Sequence, residues 1–105
     1  MLILFDHGTP APLRRFLVGH SVATAYELGW ATLKNGVLLQ SAELAEYQLL
    51  ITTDSSLMYQ QNLRGRKIAI LVLGQANWPI VKTHIAQILA AVNAAVPGSY
   101  QLVEM

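Results

Sequence analysis

Short apolar runs along this chain alternate with stretches in which apolar side chains recur every three or four residues. Leu2–Phe5 is a continuous apolar run and predicts a buried strand. Pro10 and Pro12 then open a short helix carrying Leu13, Phe16 and Leu17, with Thr9 as N-cap and Pro10 at its first position. Gly19-His20 closes it, and residues 21–25 predict a second strand. Asn35 is placed as the N-cap of a helix reaching about residue 46, with Val37, Leu38, Ser41, Leu44 and Ala45 as its inner face. Leu49–Thr52 predicts a third strand, followed by a helix start at Asp54 and Ser55 whose apolar side is Leu57, Met58 and Leu63. Residues 68–73 form the clearest strand. Asn77-Trp78-Pro79 opens the longest helix, with a stripe of Val81, Ile85, Ile88, Val92 and Val96 and a stop at Pro97-Gly98. Tyr100–Val103 predicts a last, edge strand.

Strands that alternate with helices require crossover connections and hence a mainly parallel sheet. Uninterrupted apolar strands suit a sheet covered on both faces. The expected fold is a three-layer α/β/α sandwich on a parallel sheet of four or five strands, with all 105 residues in one domain.

Composition narrows the chemistry. The chain is 53% hydrophobic and 12% charged, enough apolar surface for a real core and against disorder. A net charge of +1 gives no broad basic field. The absence of cysteine excludes disulfides, thiolate nucleophiles and cysteine metal sites. No apolar run is long enough to span a bilayer, and the amino-terminal residues lack the pattern of a secretory leader, so the expected location is the cytoplasm, away from membranes. Neither a G-x-x-x-x-G-K-[ST] nor a G-x-G-x-x-G motif occurs, which argues against a nucleotide switch or a dehydrogenase.

Asp6 and Asp54 are the only aspartates, and each follows a predicted strand. Ligands of open α/β sheets bind beyond the carboxyl ends of the strands, so neighbouring strands would bring both carboxylates together. Two converging carboxylates suit Mg²⁺ or Mn²⁺, which prefer oxygen ligands. Helix capping is the ordinary alternative for Asp54, Ser55 and Thr9. Thr52, Thr53, Ser55 and Ser56 surround Asp54 with hydroxyls, either for water and phosphate oxygens or for a self-satisfied turn. His7 follows Asp6 and, in extended geometry, points to the opposite side, as a loop histidine or else a proton carrier near the site; His20 and His84 read as structural. Arg14, Arg15, Arg64, Arg66 and Lys67 either line a groove for a nucleic-acid backbone or sit at solvated helix ends. Tyr59-Gln60-Gln61-Asn62 suits base contacts or a half-buried cover of the sheet. Glu43 is placed leaning toward the sheet, and Glu46 toward solvent.

Three segments resemble a family of short bacterial PIN-like proteins related to the ribonuclease toxins of toxin–antitoxin pairs. They are Leu4-Phe5-Asp6-His7-Gly8-Thr9-Pro10, Gly19-His20-Ser21-Val22 and Leu50-Ile51-Thr52-Thr53-Asp54. The resemblance covers nearly the whole chain. It implies a PIN-like sandwich in which Asp6 and Asp54 bind Mg²⁺ or Mn²⁺ and polarise a phosphate of RNA. Asn35 and Ser56 then supply neutral oxygens, and Glu43 is the candidate third carboxylate. The acidic set is thinned, because His7 stands for a glutamate, Asn35 for the acid at a helix start, and Ser56-Leu57 for an Asp-Phe pair. Asparagine and serine add no negative charge, so a single metal ion fits this set better than two. The resemblance leaves two activities open: a metal-dependent endoribonuclease, or a non-catalytic module that binds RNA or a protein. The partners it implies are RNA, an antitoxin or other protein, and a second copy of the chain. Interface candidates are Leu57, Met58 and Tyr59, or Trp78 and Tyr100, each equally placed to be core.

Overall fold

A computed structural model describes residues 1–56 and 65–105, and of Asn35 the backbone alone. Five strands form one all-parallel sheet: β1 (Leu2–Phe5), β2 (Ser21–Thr24), β3 (Leu49–Thr52), β4 (Ala69–Leu73) and β5 (Tyr100–Val103), in the order β2-β1-β3-β4-β5. Between them run a 3₁₀-helix (Ala11–Phe16), α1 (Asn35–Leu44), the one-turn α2 (Trp78–Val81), a 3₁₀ turn (Lys82–His84) and α3 (Ile85–Ala94). The expected α/β sandwich on a parallel sheet is the observed architecture. Among the described residues no helix is long and apolar enough to cross a membrane.

The strands are apolar throughout because both sheet faces are covered. Side chains alternate across a strand, so Ile3, Phe5, Leu49, Ile51, Leu71 and Leu73 share one face, where Leu13 and Leu17 of the first connection meet Val81, Ile88 and Val92 of the last. Leu4, Leu50, Ile70 and Val72 point the other way, onto Leu38, Leu39 and Ala42 of α1. The β1–β2 and β4–β5 connections thus cross the same face while stepping in opposite directions along the sheet. Those two crossovers therefore have opposite hands, a departure from the single hand usual in parallel sheets.

Several sequence expectations shift. The first helix is 3₁₀, with Pro10 rather than Thr9 at its N-cap. Lys34 caps α1 and Asn35 is its first residue. The inner face of α1 is Leu38, Leu39 and Ala42, whereas Val37 and Leu44 are 57% and 79% exposed. The last helix breaks at Lys82–His84, and Val96 lies beyond its end, exposed. Trp78 and Tyr100 pack against the two core clusters, and Trp78 also meets Phe16 with ring centroids 5.8 Å apart. The helix side at Leu57, Met58 and Leu63, the segment Tyr59-Gln60-Gln61-Asn62, and Arg64 lie outside the described residues.

Candidate functional site

The sheet order creates a switch point. The chain leaves β1 for β2 on one side, and β3 lies on the other, so the carboxyl ends of β1 and β3 border a crevice. Ile3, Leu4 and Phe5 lie opposite Leu49, Leu50 and Ile51, and the Asp6 N–H continues the ladder by donating to the Ile51 carbonyl at 3.2 Å. Asp6 therefore emerges beside Thr52 and Thr53. Asp6, His7, Gly8, Lys34, Thr53 and Asp54 line a depression of about 300 Å³, with Leu33 and Leu38 as its apolar wall.

Hydrogen bonds fix the Asp6 carboxylate on both oxygens. Oδ1 accepts from the Gly8 N–H at 3.2 Å and from the Thr9 hydroxyl at 3.0 Å, and Oδ2 accepts from the Thr52 hydroxyl. Thr9 also lies 2.7 Å from the Ile51 carbonyl, so its one proton is shared. Thr52 is buried, and its oxygen accepts the Asp54 N–H at 3.1 Å. One hydroxyl thereby ties the Asp6 side chain to the backbone that presents Asp54. Asp54 Oδ1 accepts from the Ser56 N–H at 2.9 Å and from the Ser56 hydroxyl. Among the described residues no donor engages Asp54 Oδ2. A Cβ on Gly8 would lie 2.6 Å from Thr53 Oγ1, so the absence of a side chain there lets the two loops close on each other.

The remaining candidates divide. Asn35 adjoins Lys34 at the start of α1, and so begins at this end of the sheet. Ser56 acts on Asp54 rather than lining the crevice. Glu43 is a correction. It lies eight residues along α1 from Asn35, about 12 Å at helical rise, at the amino ends of the strands beside Gln48 and Lys67. There it pairs with Arg66 and accepts the Lys67 N–H at 3.1 Å. Burial raises its pKa, but the Arg66 and Lys67 bonds outweigh that and hold the carboxyl below its usual value. His7 is a second correction. The chain turns after Phe5, with the Thr9 N–H bonded to the Asp6 carbonyl at 3.2 Å, and this returns His7 to the rim of the crevice. The basic groove is a third. Arg14 and Arg15 flank a separate depression near Thr24, where Arg14 is paired with Glu27, while Arg66 and Lys67 are at the far end of the sheet. Lys34 went unrecognised in the sequence, and Thr9 and Thr52, read there as a helix cap and as one of the hydroxyls around Asp54, instead bond the Asp6 carboxylate. The only available signal was that Thr9 and Thr52 flank the two aspartate segments.

Among the described residues no group of three or more histidine, aspartate or glutamate side chains is arranged so that it could hold a metal ion. The donor set of the crevice is two carboxylates plus neutral oxygens. Mg²⁺ can bind through one or two carboxylates and keep several waters, so Asp6 and Asp54 are the residues of the crevice that could hold one hydrated hard cation. No protein-family model, curated protein or solved structure matches the chain.

Proposed function

We propose that this crevice is the catalytic centre of a Mg²⁺- or Mn²⁺-dependent endoribonuclease of the PIN-like type, working with one metal ion. The observation that carries the reading is the convergence of Asp6 and Asp54 on one crevice at the switch point of the sheet. RNA as substrate, and a toxin's role opposite a protein antitoxin, follow from the resemblance of the quoted segments. A bound ion would polarise the scissile phosphate and ease deprotonation of a nearby water. Asp6 and Asp54 would hold it, with Asn35 as a neutral oxygen donor and Ser56 orienting Asp54. His7, on the rim, takes the proton of the attacking water. The water oxygen bonds to phosphorus as the bond to the ribose oxygen breaks, and that oxygen takes a proton from solvent.

The test is cleavage of end-labelled RNA with Mn²⁺ or Mg²⁺, set beside the Asp6→Asn, Asp54→Asn double variant. Activity in the parent alone supports the reading; equal activity in both refutes the site. One observation favours a second reading, a non-catalytic module. The amino ends of the strands border a larger cleft of about 590 Å³ that includes Met1, Leu44, Tyr47, Val96 and Pro97. Leu44 and Val96 are exposed on its rim, as at an interface.

A further inference from the structure

We propose that Lys34 is the phosphate anchor of this site, the residue that holds the scissile phosphodiester of single-stranded RNA against the two aspartates. The inference rests on the hydrolase reading above. Lys34 is the one cation lining the crevice of Asp6 and Asp54 among the described residues. It is also unpaired there: the two ion pairs of the described residues engage Arg14 with Glu27 and Arg66 with Glu43. An ammonium and two carboxylates thus face one depression of about 300 Å³ without closing on each other.

Charge balance gives the spacing its meaning. Two aspartates and one divalent ion cancel in net charge, so beyond the ion's own contact with a phosphate oxygen a loaded crevice without Lys34 would have no excess positive charge to hold a phosphate. Lys34 supplies the whole excess charge, and that single charge matches the single charge of a phosphodiester. The position is exposed and its side chain makes no cap bond to α1, which leaves the ammonium available to a phosphate. A flexible ammonium also suits a phosphate held as a point charge rather than in a rigid fork.

The test measures binding separately from cleavage. Anisotropy of a labelled single-stranded RNA is followed over a salt series, with Ca²⁺ in place of Mn²⁺ to keep the RNA intact. Lys34→Gln is expected to weaken binding about tenfold at low salt, since it removes one charged contact. It also lowers the slope of log K against log salt by about 0.7, the value for one phosphate contact on a single strand. Lys34→Arg restores both. Mn²⁺ uptake, read by electron paramagnetic resonance, is unchanged in Lys34→Gln and lost in Asp54→Asn. Unaltered affinity and slope in Lys34→Gln overturn the anchor. No Mn²⁺ uptake by the parent overturns the hydrolase reading and with it the anchor of a scissile phosphodiester, whereas Mn²⁺ uptake with unaltered RNA binding in Lys34→Gln overturns the anchor alone. Failure of the parent to bind RNA overturns both.

Discussion

Thr52→Val is the sharpest probe of how the site is built. Valine matches threonine in shape and suits a strand, so it removes the hydroxyl and little else. Thr52 as a residue is 1% exposed, and its hydroxyl gives its proton to the Asp6 carboxylate and accepts the Asp54 N–H. A bond to a charged group contributes about 1.5–3 kcal/mol and a neutral one about 0.5–1.5 kcal/mol. Asp6 and Asp54 are only half-buried, so water replaces part of what is lost and the expected cost is about 2–3 kcal/mol. For a chain of this length that is a fall in Tm of about 10 °C or more. Urea unfolding should show a lower midpoint at an unchanged slope, because the same surface is exposed. Thr52→Ser keeps both bonds and loses one methyl, about 1 kcal/mol, so it should stand between valine and the parent. A Thr52→Val protein melting within about 2 °C of the parent would refute the claim that this hydroxyl ties the two segments together.

Mn²⁺ at a hundredfold excess over its Kd should stabilise the parent by about 2.7 kcal/mol in a thermal melt and leave Asp54→Asn unmoved; equal shifts would place the ion elsewhere. Acid should destabilise the fold through two carboxylates held below their usual value of 4.5: Glu27, brought to about 2 chiefly by its bond from Arg14, and Glu43, held down by Arg66 and Lys67 against the effect of burial. Both stabilise above pH 4.5 and lose that contribution as pH falls toward their folded values, so Glu43→Gln should flatten the acid limb of stability against pH. Leu39→Ala, beneath α1, should cost about 2–5 kcal/mol, and Leu44→Ser about 0.5 kcal/mol or less, as measured by denaturant unfolding. Reversal of that order would restore Leu44 to the inner face.

The contrast between those two leucines shows where the sequence was readable. The strands were legible because a parallel sheet covered on both faces leaves no polar alternation, and Leu2–Phe5 and Leu49–Thr52 read as strands at their observed bounds. The face of α1 was not legible, because apolar residues surround much of that helix, and packing selects Leu38, Leu39 and Ala42 over Val37 and Leu44. In the site, Asp6 and Asp54 could be found because each follows a predicted strand, Asp6 directly and Asp54 one residue on. Glu43 misled because sequence distance along a helix becomes length, carrying it to the other end of the sheet. His7 misled because extended geometry stops at Phe5. Lys34 belongs to no motif, and only the placement of α1 against the strand ends reveals it.

One core cluster joins the two ends of the chain: Leu13 and Leu17 from the first connection lie with Ile88, Val92 and Val103 from the last forty residues. During synthesis Leu13 and Leu17 therefore wait for partners some seventy residues further on, and the early segment has no complete core of its own. Unfolding should be all-or-none, with the slowest hydrogen exchange shared by β1, β3 and β4 rather than graded along the chain. A truncation before β5 would bare the hydrogen-bonding edge of the apolar β4 and yield aggregate rather than a smaller working domain.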